Sequence, residues 1–408
     1  GKTYRTPIKT LRGDYRDADG NTANRLRRWD KHDFNPRPDD IFQERLYCIQ
    51  WITSETLDAH RPTTLFAEVT EEDLGREKEV EAIVAENLAH WQDEGLVPDM
   101  PIDPGDKTDE PIRTRGWIYW HQLFSPRQLL LLSTVAAKMS DQEWAALCFA
   151  NLLNYFSKLV GINSRSAGSG REMCLDRVFI NQALNTLFNW GVRSYAYFPD
   201  TAFKLPLDFV PGAGFVDTKQ ASETSANADI FVTDPPYADA VMYHEITEYF
   251  IAWLRKNPPP PFDQWTWDSR RDLAIKGSGD DFRRGMVDAY KAMTDHMPDN
   301  GMQCVMFTHQ DIGVWSDMVS IFWAAGLQVV GAWYIATETT SELKKGGYVQ
   351  GTVILMLHKR PAGDRPGFKQ RILPEVKREV DAQIKQMLHL NTETQAKMGA
   401  PVFNDSDL

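Results

Sequence analysis

Cysteine is scarce in this sequence and widely spaced. Cys48, Cys148, Cys174 and Cys304 include no CxxC pair and no His partner at ligand spacing, which argues against a structural zinc built within the chain. No apolar run reaches the length of a membrane span, and no secretory signal opens the sequence. Those absences make a reducing cytoplasm the expected compartment, with no membrane partner. A basic excess is missing too. The formal net charge of -12 argues against a nonspecific nucleic-acid coat, whose affinity comes from Lys and Arg on phosphates. A local basic cleft in an acidic body stays open. The chain also lacks an initiating Met, and Pro401 to Leu408 ends no obvious element, so both ends read as cut from a longer polypeptide.

What is present is ordinary in bulk and rich in rings. Hydrophobic residues at 42% and charged residues at 25% give a globular balance, and 408 residues suffice for two or three domains. The 13 Trp, 13 Tyr and 20 Phe suit stacking on bases, and equally suit a plain core. Short basic clusters occur at Arg25, Arg27 and Arg28, at Arg283 and Arg284, at Lys344 and Lys345, and from Lys359 to Arg371. Each alone reads as a solvated face.

Along the chain, the first forty residues are polar and expected to be extended or loosely packed. Arg45–Ile52 and Thr63–Val69 alternate as a hairpin would, and Glu71–Glu94 reads as a charged helix. Pro98–Pro111 reads as a linker and a boundary. Ser125 caps a helix with Pro126 in its first turn; further helices are expected from Asp141 to about Val160 and from Cys174 to Trp190. Strand then alternates with helix. Asp229–Thr233 is a short buried strand, Val241–Lys256 a helix, Asp280–Met297 a helix and Gln303–Thr308 a strand. Val314–Ala325 is a helix, followed by strands Leu327–Ile335 and Val349–His358 and a terminal helix Leu373–Leu390. This rhythm predicts an α/β fold with a mostly parallel sheet and an antiparallel pair at one edge. The divisions expected are 1–114 mixed α/β, 115–200 helical, 201–362 a core carrying the chemistry, and 363–408 a C-terminal helix and tail.

The chemistry sits in Ile230-Phe231-Val232-Thr233-Asp234-Pro235-Pro236-Tyr237. An apolar strand ends, and two prolines fix the backbone so that a carboxylate and a ring project from the carboxyl edge of a sheet. Ligands of open α/β sheets bind at that edge. An exocyclic amine on adenine or cytosine is a poor nucleophile, because its lone pair is delocalised. A carboxylate from Asp234 and the carbonyl of Pro235, each accepting one N–H, would draw that nitrogen toward tetrahedral geometry. Tyr237 supplies a face for a base taken out of its duplex, a contact of about 1–3 kcal/mol.

This octapeptide resembles the signature of amino-methylating DNA methyltransferases, in which Asp-Pro-Pro-Tyr follows an apolar strand. The resemblance implies that Asp234 and Pro235 hold the amine, that Tyr237 stacks on a flipped base, and that the Asp234–Pro236 backbone, with Thr233, lies near S-adenosyl-L-methionine. It extends through Ala238-Asp239-Ala240-Val241 and Trp253-Leu254-Arg255-Lys256 to a branch of long bacterial proteins identified as adenine-specific methylases with an N-terminal region of unknown function. The likeness covers roughly Gly116 to the C-terminus. It implies a Rossmann-like methyltransferase sheet, of which 201–362 is the target-base half, and double-stranded DNA as partner. Host modification in a restriction or phage-defence system follows from the same likeness, with a helicase or nuclease nearby. The region 1–114 is then a place for target recognition or an insertion. Enzymes acting on cytosine N4 more often carry Ser where this chain has Asp234, so adenine N6 is favoured. The Gly-rich turn that holds the cofactor is not evident, because Phe209–Gly214 lies too near Asp234 for it; the turn is expected upstream of this chain. That gap motivates a different reading, a non-catalytic DNA-binding or scaffold module with a degenerate methyltransferase fold.

Weaker candidates surround the motif. Phe215–Ala221 could be a sheet segment approaching the cofactor, with Asp217 or Gln220 as contact. His309 follows a strand at the same edge, and Glu338, Lys344 and Lys345 sit in a loop that could cover DNA. His244-Glu245-Ile246-Thr247-Glu248 has half of a zinc-protease helix but no second His, and reads as packing.

Overall fold

The structure is a computed structural model that describes residues 5–57, 59, 63–139, 145–160, 162–163, 174–175, 178, 214–235, 242–269, 271–272, 274–275, 279–309, 311–336, 351–363 and 369–399. The chain forms two compact units, one of residues 1–217 and 242–271, the other of 218–241 and 272–408.

The first unit opens with helix α1 (Ile8–Arg12) and two antiparallel pairs, β1 (Tyr15–Arg16) with β2 (Thr22–Ala23) and β3 (Cys48–Ile52) with β4 (Thr64–Glu68). The second pair is the hairpin that alternation predicts. The N-terminal segment is less loose than its composition suggests. Trp29 is buried edge-on against Trp117, and its backbone N–H donates to the carbonyl of Gly116 at 2.9 Å. Gly116 has φ 79°, and a Cβ there would strike the Arg27 carbonyl, so this close approach requires glycine.

Helix α2 (Glu71–Asp93) starts at a capping box. The Thr70 hydroxyl accepts from Asp73 N at 3.2 Å, while the Asp73 carboxylate accepts from Thr70 N at 3.0 Å. Its Val84 and Leu88 are buried, and α2 packs on α4 (Pro126–Ala137). Ser125 and Gln128 cap α4 reciprocally, as the Ser-Pro start predicts. Between them Pro98–Pro111 is no linker: Val97, Ile102 and Ile112 are buried, Ile102 N bonds to Ile118 O, and Asp109–Arg115 forms α3 with Pro111 tolerated in its first turn. Helix α5 (Ala145–Leu153) stops short of the predicted Val160, because the Lys158 N–H finds a tertiary partner in Leu123 O at 2.7 Å. Cys174–Leu175 (β6) pairs antiparallel with Ile162–Asn163 (β5) where a helix was expected to begin. The predicted helix after the motif is two short ones, α6 (Tyr243–Ile246) and α7 (Glu248–Leu254). Tyr249 and Trp253 of α7 pack against Phe124, with Trp120 on Tyr249 and Phe149 on Trp253. Trp29, Trp117, Trp120 and Trp253 are thus plain core.

The second unit is a four-stranded mixed sheet with helices, an α/β architecture. Its order is β7 (Ile230–Thr233), β8 (Met302–Phe307), β10 (Gly351–Lys359) and β9 (Leu327–Ala336). β7 and β8 are parallel, with Thr233 level with Val305. β10 runs against both β8 and β9, so the strand of opposite sense lies one place in from the edge. Helices α8 (Asp280–Asp295) and α9 (Ile312–Ala324) cover one face, burying Val305, Phe307, Leu355 and Leu357 with Met286, Tyr290, Ile321 and Phe322. The other face is exposed at its two edge strands, where Ile230 is 62% exposed, Val232 64% and Trp333 57%, and half-buried on β8 and β10 between them. β7 is therefore half-exposed, not the buried strand its apolar sequence predicts. Helix α10 (Lys369–Met398) extends beyond both predicted ends.

Candidate functional site

Asp234 and Pro235 directly follow the last residue of β7, at the carboxyl end of the parallel pair. Exposure alternates along the strand, with Ile230 and Val232 open, Phe231 and Thr233 half-buried, and Asp234 open again. The pleat therefore turns the Asp234 carboxylate to the uncovered face. It makes no hydrogen bond or ion pair among the described residues. Pro235 is buried. Thr233 points the other way, toward α8, where its hydroxyl lies 3.2 Å from the Tyr290 phenol. Burial pushes the Tyr290 phenol pKa up, Thr233 offsets this in part, and the charge of Asp234 adds to the rise.

Three further chain ends reach this edge. β8 delivers Thr308 and His309, while Ala336 ends β9 opposite Gly351, the start of β10. The Thr308 hydroxyl is enclosed and has no hydrogen-bond partner among the described residues. The His309 ring accepts from Asp311 N at 2.9 Å, and its carbonyl accepts from Trp315 Nε1 at 2.8 Å, fixing the turn into α9. Pro236 and Tyr237 lie outside the described residues, as do Glu338, Lys344 and Lys345. Ala336 and Gly351, the described residues that flank the last three in sequence, lie opposite each other at this edge.

Phe215–Ala221 is not a strand. Phe215 is 87% exposed, Asp217 is exposed, and Gln220 accepts from Ser222 Oγ just before a 3-10 turn (Ala221–Glu223) that packs on α8.

Other singled-out groups are structural. The Glu245 carboxylate accepts from Asp106 N and Lys107 N at 3.2 and 2.8 Å, and a Cβ on Gly105 would meet it at 2.5 Å. Glu248 holds Arg271 and Ser269, and Arg271 reaches on to the carbonyls of Asp103 and Pro104. The two acids tie α6 and α7 to the 103–107 loop. Arg27 is held by Asp33 and Asp40, Arg283 by Asp280 and Asp317, and Arg284 by Asp281. Arg255 and Lys256 both bind Asp99, which burial alone would raise but whose pKa these cations lower.

His121, fully buried in the first unit, donates from Nε2 to Asp33 O at 3.1 Å and faces the Gln92 amide nitrogen with Nδ1 at 3.4 Å. Burial pushes its pKa down to about 4. Below the ordinary value of about 6.5 the unfolded chain takes up a proton that the folded chain refuses, so stability is lost as pH falls from 6.5 toward 4. At ~1.4 kcal/mol per pH unit the loss reaches about 3 kcal/mol. Denaturation midpoints of the wild type and His121→Gln between pH 7 and 4.5 check this: the variant should show the shallower dependence, and parallel curves would refute it.

Compared with protein-family models, with curated proteins and with solved structures, the chain finds no match. The fold and site define an α/β unit with an exposed carboxylate, without a hydrogen bond or ion pair among the described residues, at the carboxyl edge of its parallel strands.

Proposed function

We propose that the chain carries the target-base half of a DNA methyltransferase that uses S-adenosyl-L-methionine and acts on an exocyclic amine, adenine N6 ahead of cytosine N4. One observation carries the reading. The Asp-Pro of Asp-Pro-Pro-Tyr lies at the carboxyl edge of a parallel strand pair, where α/β sheets bind ligands, with the acid exposed and held by none of the described residues. A carboxylate engaged in a salt bridge would have favoured a structural role. The strand order supports a Rossmann-like sheet, since helices cover β7 and β8 and the last two strands close it as an antiparallel pair.

The described residues do not fit a complete cofactor cradle: Thr233 faces α8, and Asp217 and Gln220 lie outside the sheet. The action of these residues is therefore on the amine. Asp234 accepts one N–H and the Pro235 carbonyl the other. Both bonds strengthen as the nitrogen becomes tetrahedral and its protons more acidic, which is the differential binding that lowers a barrier. Tyr237 would hold the extruded ring. Partners in a restriction or phage-defence assembly, such as a helicase or nuclease, belong to the same proposal.

The test is transfer of label. The full-length protein is incubated with unmethylated DNA and radiolabelled S-adenosylmethionine, and the DNA is digested to nucleosides. Label in N6-methyladenine supports the reading, and label in N4-methylcytosine keeps the chemistry and changes the base. No label, with no cofactor binding, favours the scaffold reading.

A further inference from the structure

Tyr290 is an unexpected neighbour for the motif. It sits on α8 with its ring 5.0 Å from Phe322 and perpendicular to it, and it is 2% exposed. A phenol so enclosed costs stability unless its hydroxyl is bonded. The partner is the hydroxyl of Thr233, the last residue of β7, at 3.2 Å. Asp234 is the next residue, and nothing described holds its carboxylate. β7 is four residues long, and among the described strands it pairs with β8 alone. The direction in which Asp234 leaves the sheet is thus set, among the described residues, by the pairing of Thr233 with Val305, the burial of Pro235 and the Thr233–Tyr290 bond, the side-chain bond nearest to it.

Resting on the methyl-transfer reading, we infer that Tyr290 is a positioning residue, whose hydroxyl fixes Thr233 from beneath the sheet and so aims Asp234 and the Pro235 carbonyl at the amine. It touches neither base nor cofactor. A small misplacement of a reacting group costs one to two orders of magnitude, even when its cause lies off the site. The loss appears in kcat, because binding of the duplex uses other contacts.

The test pairs catalysis with a readout independent of it. Tyr290→Phe and Thr233→Val should each lower kcat about tenfold, with the KM for DNA within about twofold of wild type. The double variant should be no worse than either single, since both delete one bond. Thr233→Ser, which keeps the hydroxyl, should retain activity. In parallel, hydrogen exchange at the Thr233 and Asp234 amides should quicken about fivefold in Tyr290→Phe, with the β8 amides unchanged. Wild-type kcat in Tyr290→Phe, or losses that add in the double variant, would overturn the inference. Should the wild type transfer no methyl at all, the functional reading fails, and exchange decides alone: unchanged exchange removes the anchor, while faster exchange retains it as the device that sets this strand end.

Discussion

Asp234→Ala should lower the rate of methyl transfer by about 10²–10³-fold, the usual cost of deleting one aimed hydrogen-bonding group from a reacting centre. Folding stability should stay within ~0.5 kcal/mol of wild type, because the side chain is exposed and bonds to nothing described. Asp234→Asn separates charge from geometry. It keeps an acceptor oxygen but loses the charge that roughly doubles the strength of such a bond, so its rate should fall between the other two. Single-turnover transfer of label, beside urea midpoints for the three proteins, reads both quantities. A fully active Asp234→Ala would remove the acid from the mechanism, and a destabilised one would show that it props the strand end.

The second large effect concerns stability of the first unit. Lys158 is fully buried, its ammonium 3.0 Å from Glu44 and over the rings of Trp29 and Trp117 at 5.6 and 4.8 Å. Burial lowers the Lys158 pKa, and Glu44 works against that. Glu44→Ala leaves the cation enclosed without its carboxylate and should cost about 3 kcal/mol. Lys158→Met should cost less, since an apolar stem of similar volume fits between the rings. The double variant should recover most of what Glu44→Ala loses. Denaturant midpoints of the four proteins measure the cycle. Additive losses would mean that the pair is not coupled.

Elements whose local signals agree with their surroundings were legible in the sequence. The Ser125-Pro126 start, the hairpin of β3 and β4 and the alternation from β7 to β10 needed only period and caps. The site was legible as far as one short word allows, since two prolines after an apolar strand announce an edge. What could not be read depended on distant partners. Trp29 sits in a polar stretch, and only the turn at Gly116 brings Trp117 to meet it. Pro98–Pro111 has linker composition, yet three apolar residues in and beside it carry it into the core. Tyr290 follows the apolar spacing of α8 with Phe282, Met286 and Met293, so nothing local distinguishes its hydroxyl from core. Its meaning exists only once Thr233 is opposite.

The open face of the sheet bears on how strongly Asp234 can act. Beside it stand Ile230 and Val232, both exposed, as Asp234 itself is. Two unit charges 4 Å apart attract by about 1 kcal/mol in water and about 4 kcal/mol at the effective dielectric constant near 20 that suits a protein surface. A flat ring laid against that hydrocarbon would strip the water away, and the carboxylate's field would strengthen at the moment a substrate is there to feel it. An exposed acid has the most to gain from that exchange of solvent for ligand.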